Sequence, residues 1–102
     1  MYGNVTLEEA LSSVGEGWAP LIREVFEKKP AEVKIQQVKE KFGVLRIYAS
    51  DNEFERTVIR EAETKSKTIC EWCGKPGSID NQKSWILTLC DEDKEKRKNN
   101  VL

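Results

Sequence analysis

Three cysteines and a carboxylate near the C-terminus carry the strongest chemical signal in this chain: Cys70-Glu-Trp-Cys73, then sixteen residues beginning with Gly74, then Cys90-Asp-Glu-Asp93. The pattern is C-x2-C-x16-C-x2-D. Zinc takes soft or borderline donors in a tetrahedron, and a two-residue spacing turns a pair of donors toward one point, as in the paired knuckles of a zinc ribbon. The expectation is a structural Zn2+ held by Cys70, Cys73, Cys90 and Asp93. Asp91, Glu92 or a water are alternatives for the fourth place, and a water-bearing site would open hydrolytic chemistry. Two other readings compete. The cysteines can be small buried hydrophobes, or Cys70 and Cys73 a redox pair, although the βαβ surroundings usual for such a pair are missing. The chain contains no histidine, and no general base stands beside the cysteines. A non-enzyme is therefore expected.

A second set of residues could hold an anion. Residues 31–50 carry Lys34, Lys39, Lys41 and Arg46 against Glu32 and Glu40, a surplus of two positive charges. Cations beside an aromatic on a sheet face can clamp a phosphate and stack a base. Lys39, Lys41, Arg46 and Tyr48 are the candidates, against the plainer reading of a solvated strand face. Trp18, in the glycine-flanked turn Gly15-Glu-Gly-Trp-Ala-Pro20, can either plug the core or wall such a pocket, and is counted with them. Trp72 and Trp85 are expected to pack around the metal loop.

These residues need elements to position them. Thr6 and Glu9 form a capping box ahead of a short helix with an apolar stripe of Leu7, Ala10, Leu11 and Val14, and Gly15 is read as a left-handed stop. Pro20 suits the start of a second helix with Leu21, Ile22, Val25 and Phe26 inward, ended by Pro30. Alternation then predicts a hairpin: Val33 and Ile35, a bulge near Gln36 and Gln37, a turn at Gly43, and Leu45, Ile47 and Ala49 on one face with Val44, Arg46 and Tyr48 on the other. Ser50 with Glu53 reads as a second capping box for a helix from 51 to about 67, with Phe54, Val58 and Ala62 inward and Glu61–Lys65 and Glu63–Lys67 pairs outside. Ser84 to Leu89 reads as a strand beside the hairpin. The expected fold class is α+β: two short N-terminal helices, a β-hairpin, a longer central helix, and a C-terminal zinc knuckle with an extra strand. Residues 1–93 would form one domain and 94–102 a charged, flexible tail.

Composition sets the remaining bounds. The 102 residues suffice for one modest core, and so small a core leaves room for a homodimer. Seventeen basic against eighteen acidic residues give a formal charge of -1, which argues against binding duplex nucleic acid. No apolar run has membrane-spanning length and no secretory signal is visible, so no membrane partner is expected. An odd cysteine count argues against a disulfide framework, and the expected compartment is cytoplasmic, with the thiols reduced or metal-bound.

Taken in order, Val14-Gly-Glu-Gly-Trp-Ala-Pro-Leu-Ile22, Gln37-Val-Lys-Glu-Lys-Phe-Gly-Val-Leu-Arg-Ile-Tyr48, Cys70-Glu-Trp-Cys-Gly-Lys-Pro-Gly77 and Thr88-Leu-Cys-Asp-Glu92 resemble a family of small bacteriophage and bacterial zinc-knuckle proteins. Its motifs are of the type GxGWxPLI, QVKEKFGxLRxY, CExCGxPG and TLCDEH. The likeness spans most of residues 14–92, with one departure: where the family pattern has a histidine ligand, this chain has Asp93. The resemblance implies a phage-type knuckle protein acting in a bacterial or phage-infected cell, and brings no enzymatic activity with it. The expected function is a non-enzymatic, anti-defence binding protein that holds a small anionic ligand such as a signalling nucleotide, or blocks a host defence protein. The alternative is a nucleic-acid or transcription-associated zinc-knuckle module, which charge disfavours.

Overall fold

The computed structural model describes residues 4–82 and 85–99. Helix α1, Leu7–Ser12, opens on the expected capping box: Thr6 Oγ1 accepts the Glu9 N–H (3.1 Å) and Glu9 Oε1 accepts the Thr6 N–H (2.9 Å). It ends at Ser13, and Gly15, with φ -67°, is no left-handed stop. Gly15 and Gly17 are small for another reason. A Cβ on Gly17 would lie 1.9 Å from the Cys70 carbonyl oxygen, and one on Gly15 2.1 Å from that of Glu71. The 3-10 turn Glu16–Trp18 thus lies backbone against backbone on the first knuckle, sealed by Gly17 N–H donating to Glu71 O at 2.8 Å.

Helix α2, Ala19–Lys28, carries Pro20 in its first turn and buries Leu21, Ile22 and Val25. Strands β1, Ile35–Lys41, and β2, Val44–Ala49, form the antiparallel hairpin, with Lys39 opposite Arg46, Val38 opposite Ile47 and a register shift between Ile35 and Gln37. The two-residue turn has φ 54° at Phe42 and 80° at Gly43, the double positive φ of a type I′ turn.

The central helix runs as α3, Asn52–Phe54, a π-helical turn, Glu55–Ile59, and α4, Arg60–Ser66. Asp51 caps it in place of Ser50. Its Oδ1 accepts the Glu53 and Phe54 N–H groups, while Ser50 Oγ accepts the Lys34 N–H and ties the hairpin base. The extra residue in the π turn makes Phe54, Ile59, Ala62 and Ser66 the buried row, with Val58 half-buried. This helix covers the open edge of β2. Ser66 Oγ, Glu63 Oε2 and Glu55 Oε2 accept the Leu45, Ile47 and Ala49 N–H groups at 3.0, 3.0 and 2.8 Å, so alternate amides of an otherwise unpaired strand edge are satisfied by side chains. Glu63 is thereby taken from its expected partner Lys67, whereas Glu61 and Lys65 do pair (3.5 Å).

The knuckle contains β3, Ser78–Asp80, and β4, Leu87–Leu89, paired antiparallel with each other as a second small sheet. The strand expected beside the hairpin meets it through the side chain of Thr88, whose Oγ1 donates to Gly43 O at 2.6 Å. Ser84, read as the start of that strand, lies outside the described residues. Helix α5, Asp91–Asn99, continues through much of the segment expected to be a flexible tail. The reason is Arg97, buried with Asp80 at 3.0 Å and donating also to the Trp85 carbonyl. Residues 100–102 lie outside the described residues.

Trp18, Ile22, Val25, Ile35, Leu45, Ile47, Phe54 and Ile59 sit at the heart of the main core between helices and hairpin, and a small second cluster consists of Cys70, Leu89 and Cys90. The fold is α+β as expected. No helix among the described residues is long and apolar enough to cross a membrane.

Candidate metal centre

Cys70 follows a bridge between Ile69 and Pro76, and its N–H donates to Lys75 O (2.8 Å) while its carbonyl accepts the Gly74 N–H (3.0 Å). That tight turn brings the Cys73 sulfur back beside Cys70. The second pair is built differently. Cys90 immediately precedes α5, and its sulfur accepts the Asp93 N–H at 3.4 Å, acting as a helix cap. Cap and third helical residue face the same side, so the C-x2-D spacing aims the Asp93 carboxylate at the Cys90 sulfur.

The four donor atoms lie within 4.8 Å of one another. Cys70 Sγ to Asp93 Oδ2 is 3.1 Å, Cys90 Sγ to the same oxygen 3.4 Å, and Cys73 Sγ to Cys90 Sγ 3.5 Å. Donors about 2.0–2.3 Å from a tetrahedral ion stand about 3.3–3.8 Å apart, so the set is compatible with zinc after small adjustments. The electrostatics agree. The Lys75 amide pulls the Cys73 thiol down, but burial and the hydrogen bonds with Cys90, Cys70 and Asp93 push it up to about 12. The Cys70 thiol's hydrogen bond, with help from Cys73 and Cys90, holds the Asp93 carboxyl below its usual value despite burial. Acidic groups crowded around one point resist ionising together, and a cation at that point reverses the penalty. Outside the centre, Lys96 reaches Asp93 Oδ1 (3.7 Å), and Lys75 pairs with Glu92 (2.9 Å) across the two knuckles.

The other candidates fare unevenly. Trp18 is fully buried and its indole N–H donates to Ile69 O at 2.8 Å. It is a core residue joining α2 to the knuckle and offers no face to a ligand. Lys39, Lys41, Arg46 and Tyr48 share the outer face of the hairpin. The Lys39 ammonium stands 5.7 Å from the centroid of the Tyr48 ring, which is 43% exposed. Among the described residues no carboxylate lies at ion-pair distance from Lys39, Lys41 or Arg46. A shallow hollow of about 330 Å³ is lined by Gln36, Gln37, Lys39 and Tyr48.

A larger cavity, about 530 Å³, opens between the knuckle and the end of β1, with Trp72, Trp85, Glu40 and Glu71 in its walls. Trp72 and Trp85 are exposed at its rim instead of packing shut around the metal loop. Sequence reasoning missed Glu71, which is only 4% exposed and accepts the Thr88 N–H on Oε2 at 2.8 Å. Burial pushes its carboxyl up to about 7 against the pull of that amide, with Glu40 adding to the rise. A glutamate between two cysteines reads in sequence as one more exposed charge. Comparison of the chain with models of protein families, with curated proteins and with solved structures gives no match.

Proposed function

We propose that this chain is a non-enzymatic binding protein of phage type, in which a structural zinc ion fastens the C-terminal knuckle and the outer hairpin face holds a small anionic ligand such as a signalling nucleotide. The observation that carries this reading is the gathering of Lys39, Lys41, Arg46 and Tyr48 on one strand face without acidic partners among the described residues. Ammonium and guanidinium groups a strand apart suit phosphate oxygens, and the Tyr48 ring offers a stacking surface. Four protein donors complete a tetrahedral shell with no open position, the arrangement of structural zinc. Interference with host defence is the setting that the motif resemblance suggests, through capture of a signalling nucleotide or through contact with a defence protein.

Calorimetry of the metal-loaded protein against cyclic and linear nucleotides tests the reading. Micromolar binding is expected, weakened about tenfold or more by Lys39→Ala with Arg46→Ala. Silence across the panel would remove the ligand reading and leave inhibition by protein contact.

A further inference from the structure

We propose that the cavity between the knuckle and the hairpin turn is a docking site for a partner polypeptide, taking a basic side chain between Trp72 and Trp85 with an adjoining apolar residue laid against Phe42. The proposal goes beyond the hairpin-face reading and shares with it only Lys41, which borders the Phe42 side.

The cavity's walls select a cation. Two exposed indoles supply π faces, and Glu40 and Glu71 supply carboxylates. Each carboxylate gives one oxygen to a backbone amide, Glu40 to Gly43 (2.7 Å) and Glu71 to Thr88 (2.8 Å). The other oxygen of each has no hydrogen-bond partner among the described residues. Arg97 also borders the cavity, but its guanidinium is engaged by the Asp80 carboxylate and by the carbonyls of Asp80 and Trp85. The uncompensated charge in the walls is therefore negative, carried by Glu40 and only in part by the raised Glu71 carboxyl, and an alkyl ammonium or guanidinium between indoles and carboxylates is the complement.

Phe42 argues that the occupant is longer than one cation. It adopts φ 54°, a left-handed conformation strained for residues other than glycine and asparagine, and yet it is 64% exposed. A strained aromatic left mostly exposed in the free protein is a surface available for contact with another molecule. With Trp85, itself 69% exposed, Phe42 lines a second hollow of about 450 Å³ that shares Glu40 and Trp85 with the first. Lys41 stands over the Phe42 ring there (5.7 Å), so the basic group belongs on the Trp72 side and the apolar neighbour on the Phe42 side. Two adjoining hollows with this order of chemistry fit a short extended chain.

The test is an NMR titration of the metal-loaded, nitrogen-15-labelled full chain, read at its three indole N–H signals. The probes are a blocked pentapeptide of sequence Gly-Leu-Arg-Leu-Gly, its glutamate counterpart, and arginine amide alone. Saturable shifts at Trp72 and Trp85 with the arginine peptide are expected, with Trp18, sealed in the core, unmoved. Glu40→Gln with Glu71→Gln should weaken binding about tenfold, and Phe42→Asn should weaken it severalfold while leaving the cavity intact. The Trp18 signal at its wild-type position certifies the fold of each variant, and if the glutamine pair fails that check Phe42→Asn decides. No saturable shift with the arginine peptide, an equal response to the glutamate peptide, or undiminished binding by the variants overturns the proposal. Equal affinity for arginine amide also overturns it, in favour of a free organic cation.

Discussion

At the scale of the residue, this protein places two side chains where local preference alone would not. Phe42 sits in a left-handed turn position that asparagine occupies with little strain, and its ring is solvated. Phe42→Asn should therefore stabilise the free protein by about 1 kcal/mol, seen as a raised thermal midpoint, although the change removes an aromatic. An unchanged or lowered midpoint would mean that Phe42 stabilises the fold in a way its exposure does not reveal. Trp18 is the reverse case. Its turn left open a core plug or a pocket wall, and burial with an indole hydrogen bond to Ile69 O makes it a core residue. The sequence offers one description for both outcomes, a large aromatic beside glycines, because whether an indole meets solvent depends on what folds over it.

Elements are joined here by side chains reaching across long stretches of chain. Ser66 is fully buried, accepts the Leu45 N–H and donates to Glu63 O (2.6 Å). Ser66→Ala leaves that strand amide unpaired in the core and should cost about 1–3 kcal/mol, measured by urea unfolding. The clamp between α5 and β3 has a pH signature. Burial alone would raise the Asp80 carboxyl, but hydrogen bonds from Gln82 and Arg97 outweigh it and hold the carboxyl below its ordinary value. A depressed folded pKa gives stability that is fully present above the unfolded pKa of about 4 and is lost as pH falls through the folded one. Asp80→Asn should cost about 3 kcal/mol near neutral pH, where it strands the buried Arg97. The difference from wild type should shrink below about pH 4. A difference independent of pH would show that the pair acts through packing alone.

For the whole molecule, the balance of its two hydrophobic clusters decides what holds it together. The main core gathers helices and hairpin, whereas the knuckle's own cluster is Cys70, Leu89 and Cys90 with Leu87 against them. So few apolar groups do not order a segment of this length, and in the proposed reading a metal ion held by Cys70, Cys73, Cys90 and Asp93 supplies the remainder. Chelation at neutral pH should lower stability by several kcal/mol, and hydrogen exchange should show residues 70–93 losing protection before the hairpin and α2. Acidification should release the metal as thiols and carboxylate take up protons. Uniform loss of protection would instead mean that the knuckle and main core unfold as one unit, joined through Gly17, Trp18 and Thr88.

By itself the sequence determined the local features: the capping box at Thr6, the hairpin with its bulge and alternating faces, and the ligand spacing of Cys70, Cys73, Cys90 and Asp93. The capping box, the strand alternation and the two-residue spacing inside each of the pairs Cys70–Cys73 and Cys90–Asp93 are set by residues within a few positions of one another, where the backbone leaves few choices. Tertiary structure decided the rest. Ser50 yielded the helix cap to Asp51 because the hairpin base took its hydroxyl, and Glu63 left Lys67 for a strand amide sixteen residues away. β4 paired with β3 and not with the hairpin, and Arg97 turned a charged tail into a packed helix. The cavity of Trp72, Trp85, Glu40 and Glu71 exists because the knuckle closes against the end of β1. These outcomes depend on competition for partners brought together by the fold, which no local spacing records.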